Sequence, residues 1–138
     1  MIIKELLFKM SAKLILYKRG NFYRCYNEDS YILAYLMDYK VTMTDNRDIA
    51  GFPLSNLDKV LEEFEKNKID YIVYDSVKDG KIKAKCDFEY ESNYEVMNEK
   101  AYEYVRQRNR VERIYDNLKG KLHDGSVDEV LLKIEEIL

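Results

Sequence analysis

Tyr17-Lys18-Arg19-Gly20-Asn21-Phe22-Tyr23-Arg24-Cys25-Tyr26 reads as two short extended segments that meet at a tight turn. Gly20 supplies the positive φ that such a turn needs, and Asn21 tolerates it. The turn sets an aromatic pair, Phe22 and Tyr23, beside three cations, Lys18, Arg19 and Arg24. Aromatic and cationic side chains together at a hairpin tip suit contact with a flat, anionic partner such as a nucleic acid. The same residues also fit a plainer reading, with the aromatics as half-buried strand residues and the cations as solvated charge.

Outward from this hairpin the chain alternates between sheet and helix patterns. Upstream, Ile2, Leu6, Leu7 and Met10 recur at helical spacing, and Leu14-Ile15-Leu16 is a strand entering the turn. Downstream, Asn27 reads as an N-cap with Glu28 and Asp29 in the first turn of a helix. Ile32, Leu33, Leu36 and Met37 form the apolar stripe of that helix, which should end near Asp38. Tyr39-Lys40-Val41-Thr42-Met43-Thr44 alternates as a strand, and Asp45–Asp48 turns the chain. Ile49 to Pro53 is an extended piece whose proline bars a central strand position. Ser55 with Asp58 resembles a capping box for a helix with Leu57, Val60, Leu61 and Phe64 inside.

The second half continues in the same way. Tyr71-Ile72-Val73-Tyr74 is an unbroken apolar run that predicts a central strand. Asp79-Gly80 marks a hairpin into Lys81–Cys86, whose outward lysines are typical of an edge strand. A long helix runs from about Tyr94 to Leu118 on a seam of Tyr94, Met97, Ala101, Tyr104, Arg108, Val111, Tyr115 and Leu118, with Arg108 interrupting it. Gly120 ends the helix, and Ser126-Val127-Asp128-Glu129 opens a last one.

Composition bounds the class. With 46% hydrophobic and 36% charged residues in 138, the chain has the balance of a soluble globular domain with room for a core. No stretch approaches a membrane span, and the N-terminus lacks a signal-peptide core, so a cytoplasmic protein is expected. The net charge of −3 argues against indiscriminate coating of nucleic acid. The charge is uneven, however: residues 1–26 hold six basic side chains against Glu5, whereas residues 27–79 hold six against twelve acidic ones. Positive charge is therefore concentrated around the opening hairpin.

Other chemistry has thin support. His123 stands alone, so neither a histidine-based triad nor a metal cluster can be assembled around it. Cys25 and Cys86 have no ligand spacing, and Cys25 reads as a buried strand cysteine. Asp75, Asp87 and Glu89 sketch a nuclease carboxylate set only faintly. Cofactor, metal and catalytic residues are accordingly expected to be none. The basic and acidic side chains of the long helix are mixed, which favours a solvated or helix-pairing face over a DNA-tracking ridge.

The ordered set of motifs adds a more specific expectation. From Leu14 to Asp75 the chain resembles the N-terminal mismatch-recognition domain of the DNA mismatch-repair protein MutS. At the hairpin that family carries a tyrosine, a basic residue, a variable residue, a glycine, an acidic residue and Phe-Tyr-Glu. This sequence has Tyr17-Lys18-Arg19-Gly20-Asn21-Phe22-Tyr23-Arg24 at the same spacing. Leu36-Met37-Asp38, Val41-Thr42 and Ala50-Gly51-Phe52-Pro53 follow in the family's order, with one shortened loop around Asp45–Asp48. No counterpart is recognised from about Asp87 onward, nor of the family's ATPase, lever and clamp regions.

The resemblance implies that Phe22 stands where the family's phenylalanine wedges into the minor groove at a mismatch. A mispair lowers the cost of unstacking, so deformable sites are selected. The family glutamate that bonds the mispaired base corresponds to Arg24, a charge reversal. A guanidinium only donates, and it favours phosphates and groove acceptors. Generic binding should gain and mismatch discrimination should suffer. Some relatives keep the domain without the motif and act as the non-specific partner, in which case Phe22 is only a strand residue.

The expected architecture is α+β: a mixed β-sheet flanked by helices over residues 1–90, and a C-terminal helical hairpin over residues 91–138. The expected function is a stand-alone, non-catalytic DNA-binding module, with Lys18, Arg19, Gly20, Phe22, Tyr23 and Arg24 as DNA contacts. The alternative is a protein-interaction module on the same fold that has lost DNA contact and forms homo- or hetero-oligomers through the C-terminal helices.

Overall fold

A computed structural model describes residues 12–138 except 77, 124 and 126. The helix expected over residues 2–10 and the capping role expected of Ser126 lie outside the described residues. In chain order the elements are β1 (Leu14–Arg19), β2 (Phe22–Tyr26), α1 (Glu28–Met37), β3 (Thr42–Thr44) and β4 (Arg47–Pro53). Then come α2 (Leu57–Lys66), β5 (Tyr71–Ser76), β6 (Lys81–Cys86), α3 (Tyr94–Gly120) and α4 (Asp128–Ile137). The strands form one six-stranded sheet in the order β3-β4-β2-β1-β5-β6. β1 and β5 run parallel and the other pairs antiparallel, so the sheet is mixed and the class is α+β, as expected.

Side-chain alternation gives the sheet two unlike faces. Leu14, Leu16, Tyr23, Cys25, Ala50, Phe52, Tyr71 and Val73 all point to one side and are buried. That face is covered by Ile32 and Leu33 of α1, Leu57, Val60 and Phe64 of α2, and Tyr94 and Ala101 at the start of α3. Removing one such aromatic from water contributes roughly 1.5–3 kcal/mol, which is why the amphipathic stripes select this arrangement. The alternate residues face the other way, where Phe22 and Arg24 are exposed and Tyr17, Tyr26 and Tyr74 are half-buried.

Contacts divide the chain into two units, Met1–Tyr104 and Val105–Leu138. The first turns of α3 thus belong to the sheet unit, where tyrosines hold them to α1. The Tyr104 hydroxyl donates to Asp38 at 2.7 Å, and the Tyr35 and Tyr104 rings lie 5.5 Å apart. In the second unit Val105 and Val127 are buried, whereas Val111, Ile114, Tyr115 and Leu122 are exposed. Among the described residues no helix is long and apolar enough to cross a membrane.

Buried polar links fix the strands that carry the outward face. The Asp29 carboxylate accepts from the Ile15 N–H of β1 at 3.1 Å and from the Tyr94 hydroxyl of α3 at 2.6 Å. Burial is the main cause that pushes the Asp29 carboxyl up to about 6. Asn27 sits at the start of α1, but its side chain makes no cap. Its Oδ1 accepts from the Asp48 N–H at 3.2 Å, while its own N–H donates to the Asp48 carbonyl at 2.8 Å. Asn27 holds a positive φ of 52° to make this two-way link. The Tyr31 hydroxyl also donates to Asp48, which pushes that phenol up to about 12. The start of β4 is therefore clamped to α1.

Besides the Asn27 cap, three sequence expectations change in detail. The strand expected over Tyr39–Thr44 is shortened to Thr42–Thr44. Tyr39 is drawn out of line, with its ring stacked 6.0 Å from Phe52 and its hydroxyl accepting from the Asn56 amide at 3.4 Å. The Ser55 capping box does not form, because a 3-10 turn over Leu54–Asn56 precedes α2. Pro53 lies in a strand with neighbours on both sides, yet β3 pairs only with Arg47–Ile49. The proline occupies the part of β4 that faces β2 alone, where its missing N–H costs no ladder bond.

Candidate nucleic-acid interface

The hairpin forms as read. Arg19 pairs with Phe22, Lys18 with Tyr23 and Tyr17 with Arg24, leaving Gly20 and Asn21 as a two-residue turn. Only Gly20 of the two takes a positive φ, 60°, the pattern of a II′ turn whose twist matches the strands. The Asn21 carbonyl accepts from the Leu54 N–H at 3.2 Å, which ties the turn to the end of β4.

The strand period then separates the expected contact residues. Phe22 is 46% exposed, whereas Tyr23 is 1% exposed, with its ring 5.8 Å from that of Phe52 in the core. Tyr23 therefore points away from the face that Phe22 presents. Lys18 also points away, and its ammonium lies 3.7 Å from the Asp75 carboxylate of β5. Arg19 and Gly20 are exposed at the tip, and Arg24 is exposed beside Phe22. Of the six expected contact residues, the outward face brings together Arg19, Phe22 and Arg24, with Gly20 at the turn.

An open groove of about 440 Å³ extends from Phe22 across the outward face. Phe22 and Arg24 of β2 form one side, and Ile49 and Gly51 of β4 form its floor. Thr42 and Thr44 of β3, with Lys40 just before it, form the far side. Gly51 stands directly across from Arg24 in the β2–β4 register. Among the described residues, two cations and no carboxylate line the groove. Reading the sequence missed the contribution of β3 and β4 because Lys40, Thr42 and Thr44 are remote from the hairpin and reach it only through strand order. The available signal was the alternation of Lys40, Thr42 and Thr44, which puts all three on one side of an extended segment.

Beyond the groove the outward face continues as an aromatic row. The Tyr17 ring lies 5.8 Å from Tyr26 and stacks 5.6 Å from Tyr74. The Arg47 guanidinium sits 4.1 Å over the Tyr26 ring, a cation–π contact.

The side chains weighed for other chemistry lie elsewhere. Cys25 is buried in the core, and burial pushes its thiol well up, away from the reactive thiolate. His123 is exposed in a 3-10 turn after α3. Asp75 is held by Lys18, and Asp87 lies 3.9 Å from the Lys13 ammonium and accepts from the Glu89 N–H at 2.7 Å. Among the described residues no group of three or more histidine, cysteine or carboxylate side chains is placed to hold a metal ion.

A family model for MutS domain I matches residues 4–111 of the 138. The match extends beyond the motifs of Leu14–Asp75 on both sides, runs past Asp87 and takes in most of α3. The helix that closes the helical side of the sheet is therefore within the family pattern. No curated protein matches the chain.

Proposed function

The chain belongs to the MutS domain I family, and from that premise we propose that it is a non-catalytic DNA-binding module that meets DNA with the Phe22 side of its β1–β2 hairpin. The observation that carries this reading is the exposure of Phe22 beside Arg24 on a cationic groove while its neighbour Tyr23 is buried. A phenylalanine serving only the core would take the inward register. Phe22 acts as a wedge that stacks where pairing is weak, and Arg19, Arg24 and Lys40 meet phosphates. Arg24, in place of the family glutamate, shifts binding towards generic contact and away from discrimination of the mispaired base. The carboxylates Asp75 and Asp87 serve as partners of Lys18 and Lys13 rather than as catalytic groups.

The test is a salt series of binding to a short duplex with one mispair. Affinity should fall steeply with salt, and Phe22→Ala should weaken binding by roughly tenfold, the worth of one aromatic–base stack. Salt-independent binding, or binding indifferent to Phe22→Ala, would overturn the reading.

A different observation favours a second reading, association through the C-terminal helices. In the second unit Val111, Ile114, Tyr115 and Leu122 are exposed, and their spacing lines them up along α3 and the turn that follows. An apolar stripe of this kind suits pairing with another helix. Sedimentation of the whole chain should then show concentration-dependent association that Ile114→Glu with Tyr115→Glu abolishes; a monomer at all concentrations would sink it.

A further inference from the structure

The groove itself bears on which form of DNA it takes, an inference that rests on the DNA-binding reading above. A wedge for an intact double helix needs to stand proud of its surroundings. Phe22 instead lines one side of a shallow, open groove that it shares with Ile49 and Gly51 of β4 and the β3 threonines. At about 440 Å³ the groove falls within the roughly 300–1,000 Å³ of small-ligand sites, the scale of a nucleotide rather than of a duplex. In a paired helix both faces of each base are already stacked, and freeing one costs a few kcal/mol. An unpaired strand offers its bases at little cost.

The chemistry of the walls fits the same occupant. An apolar ring and an isoleucine suit the face of a base, while Arg24 and Lys40 flank it as donors for phosphate oxygens. Among the described residues neither cation is drawn into an ion pair. The groove is thus locally positive on a chain of net charge −3, which gives it complementarity to a polyanion without general stickiness. Next to Arg24 the face continues in Tyr17 and Tyr26, whose rings are spaced 5.8 Å apart and half-buried, with Arg47 over Tyr26. Rings in succession beside cations are the arrangement that tracks successive bases of a single strand.

We infer that the groove of β2, β4 and β3 receives an unpaired DNA strand, with one base stacked on Phe22 and the adjoining phosphates held by Arg24 and Lys40. Lys40 is thereby a binding residue in its own right, and a mispaired duplex is bound to the extent that it yields an unpaired nucleotide.

Fluorescence anisotropy of the whole chain tests this with three labelled probes. They are an oligothymidylate of about twelve nucleotides, within the usual range of single-strand sites, a fully paired duplex of the same length and the same duplex with one mispair. The oligothymidylate should bind tightest and the fully paired duplex weakest, with a gap on the order of tenfold or more. Phe22→Ala and Lys40→Glu should each weaken single-strand binding by about tenfold, whereas Lys66→Glu, on α2 behind the sheet, should not. Both side chains are exposed, and circular dichroism verifies that the variants fold. Tighter binding of either duplex than of the single strand, with Phe22 dependence, would overturn this inference and leave the DNA-binding reading standing. Single-strand binding indifferent to Lys40→Glu would overturn the placement in the groove. Failure to bind any of the three probes would overturn both readings.

Discussion

Gly51 faces Arg24 across the β2–β4 ladder, and a Cβ at residue 51 would stand 2.9 Å from the Tyr23 carbonyl oxygen and 3.2 Å from Arg24 Cγ. The backbone of Gly51 is ordinary, so the constraint is space and not conformation. The missing side chain leaves room for the Arg24 stem beside β4, at the side of the groove. Gly51→Ala should therefore lower stability by about 1–3 kcal/mol, the usual range for forcing an atom into a filled site. A urea titration gives the loss as a fall in midpoint. The variant should also weaken DNA binding about as far as Arg24→Ala does, because both displace the same guanidinium.

Phe22 and Tyr23 are neighbours with opposite fates, and their truncation should separate stability from binding. Tyr23→Ala opens a cavity against Phe52 and should cost about 3–5 kcal/mol, as buried aromatics do. Phe22→Ala removes a half-solvated ring, and its cost should stay under about 1 kcal/mol. Binding should respond in the reverse order once both variants are measured under conditions where they are folded. Urea denaturation followed by circular dichroism supplies the first comparison and anisotropy the second. Equal destabilisation by the two would mean that Phe22 is a core residue and that the outward face is not a binding face.

The legibility of this chain follows from the range over which each feature is decided. The β1–β2 hairpin was plain in the sequence because Gly20 and the alternation around it act over a few residues. The edge character of β6 was plain for the same reason, since its lysines announce a solvent face. The strand over Tyr39–Thr44 was overdrawn because local alternation cannot tell that Tyr39 will stack on Phe52. The Ser55 cap does not form because a 3-10 turn over Leu54–Asn56, which local spacing does not reveal, puts Asn56 at the start of the helix. Tyr23 is adjacent to Phe22 in sequence but lies on the opposite face of β2, since side chains alternate along a strand. Lys40 and Thr44 were out of reach, since only the order β3-β4-β2 brings them alongside Phe22.

Asp29 should give stability a distinctive dependence on pH. Burial raises its carboxyl to about 6, above the ordinary carboxyl value that it regains on unfolding. The folded protein thus holds this proton more tightly than the unfolded chain does. By linkage, the contribution of Asp29 is favourable at pH 4 and below and is lost as pH rises to about 6, then stays flat. The swing is on the order of 2–3 kcal/mol. Asp29→Asn keeps an acceptor for the Ile15 N–H but cannot ionise. Urea midpoints of the parent minus those of the variant, taken between pH 4 and pH 7, should fall with pH. A difference that rises over that interval would mean that the ionised carboxylate is the favoured partner of Tyr94 and Ile15.

Arg24→Glu puts back the carboxylate that the family has at this place, and its effects should divide by the kind of DNA. The guanidinium offers donors alone, so replacing it with a carboxylate deletes a phosphate contact and adds repulsion. Binding to fully paired duplex should therefore weaken, and the slope of log affinity against log salt should become shallower by about 0.9, the share of one phosphate. At a mispair the carboxylate can accept from a base donor that no longer has its pairing partner. Affinity there should fall less, so the ratio of mispaired to paired binding rises. Single-strand binding should lose most, since the strand bound between Arg24 and Lys40 is left with one cation. An unchanged ratio with an unchanged slope would mean that Arg24 points at the DNA without touching it. The change is confined to an exposed side chain on β2, so the comparison can be made on folded protein throughout.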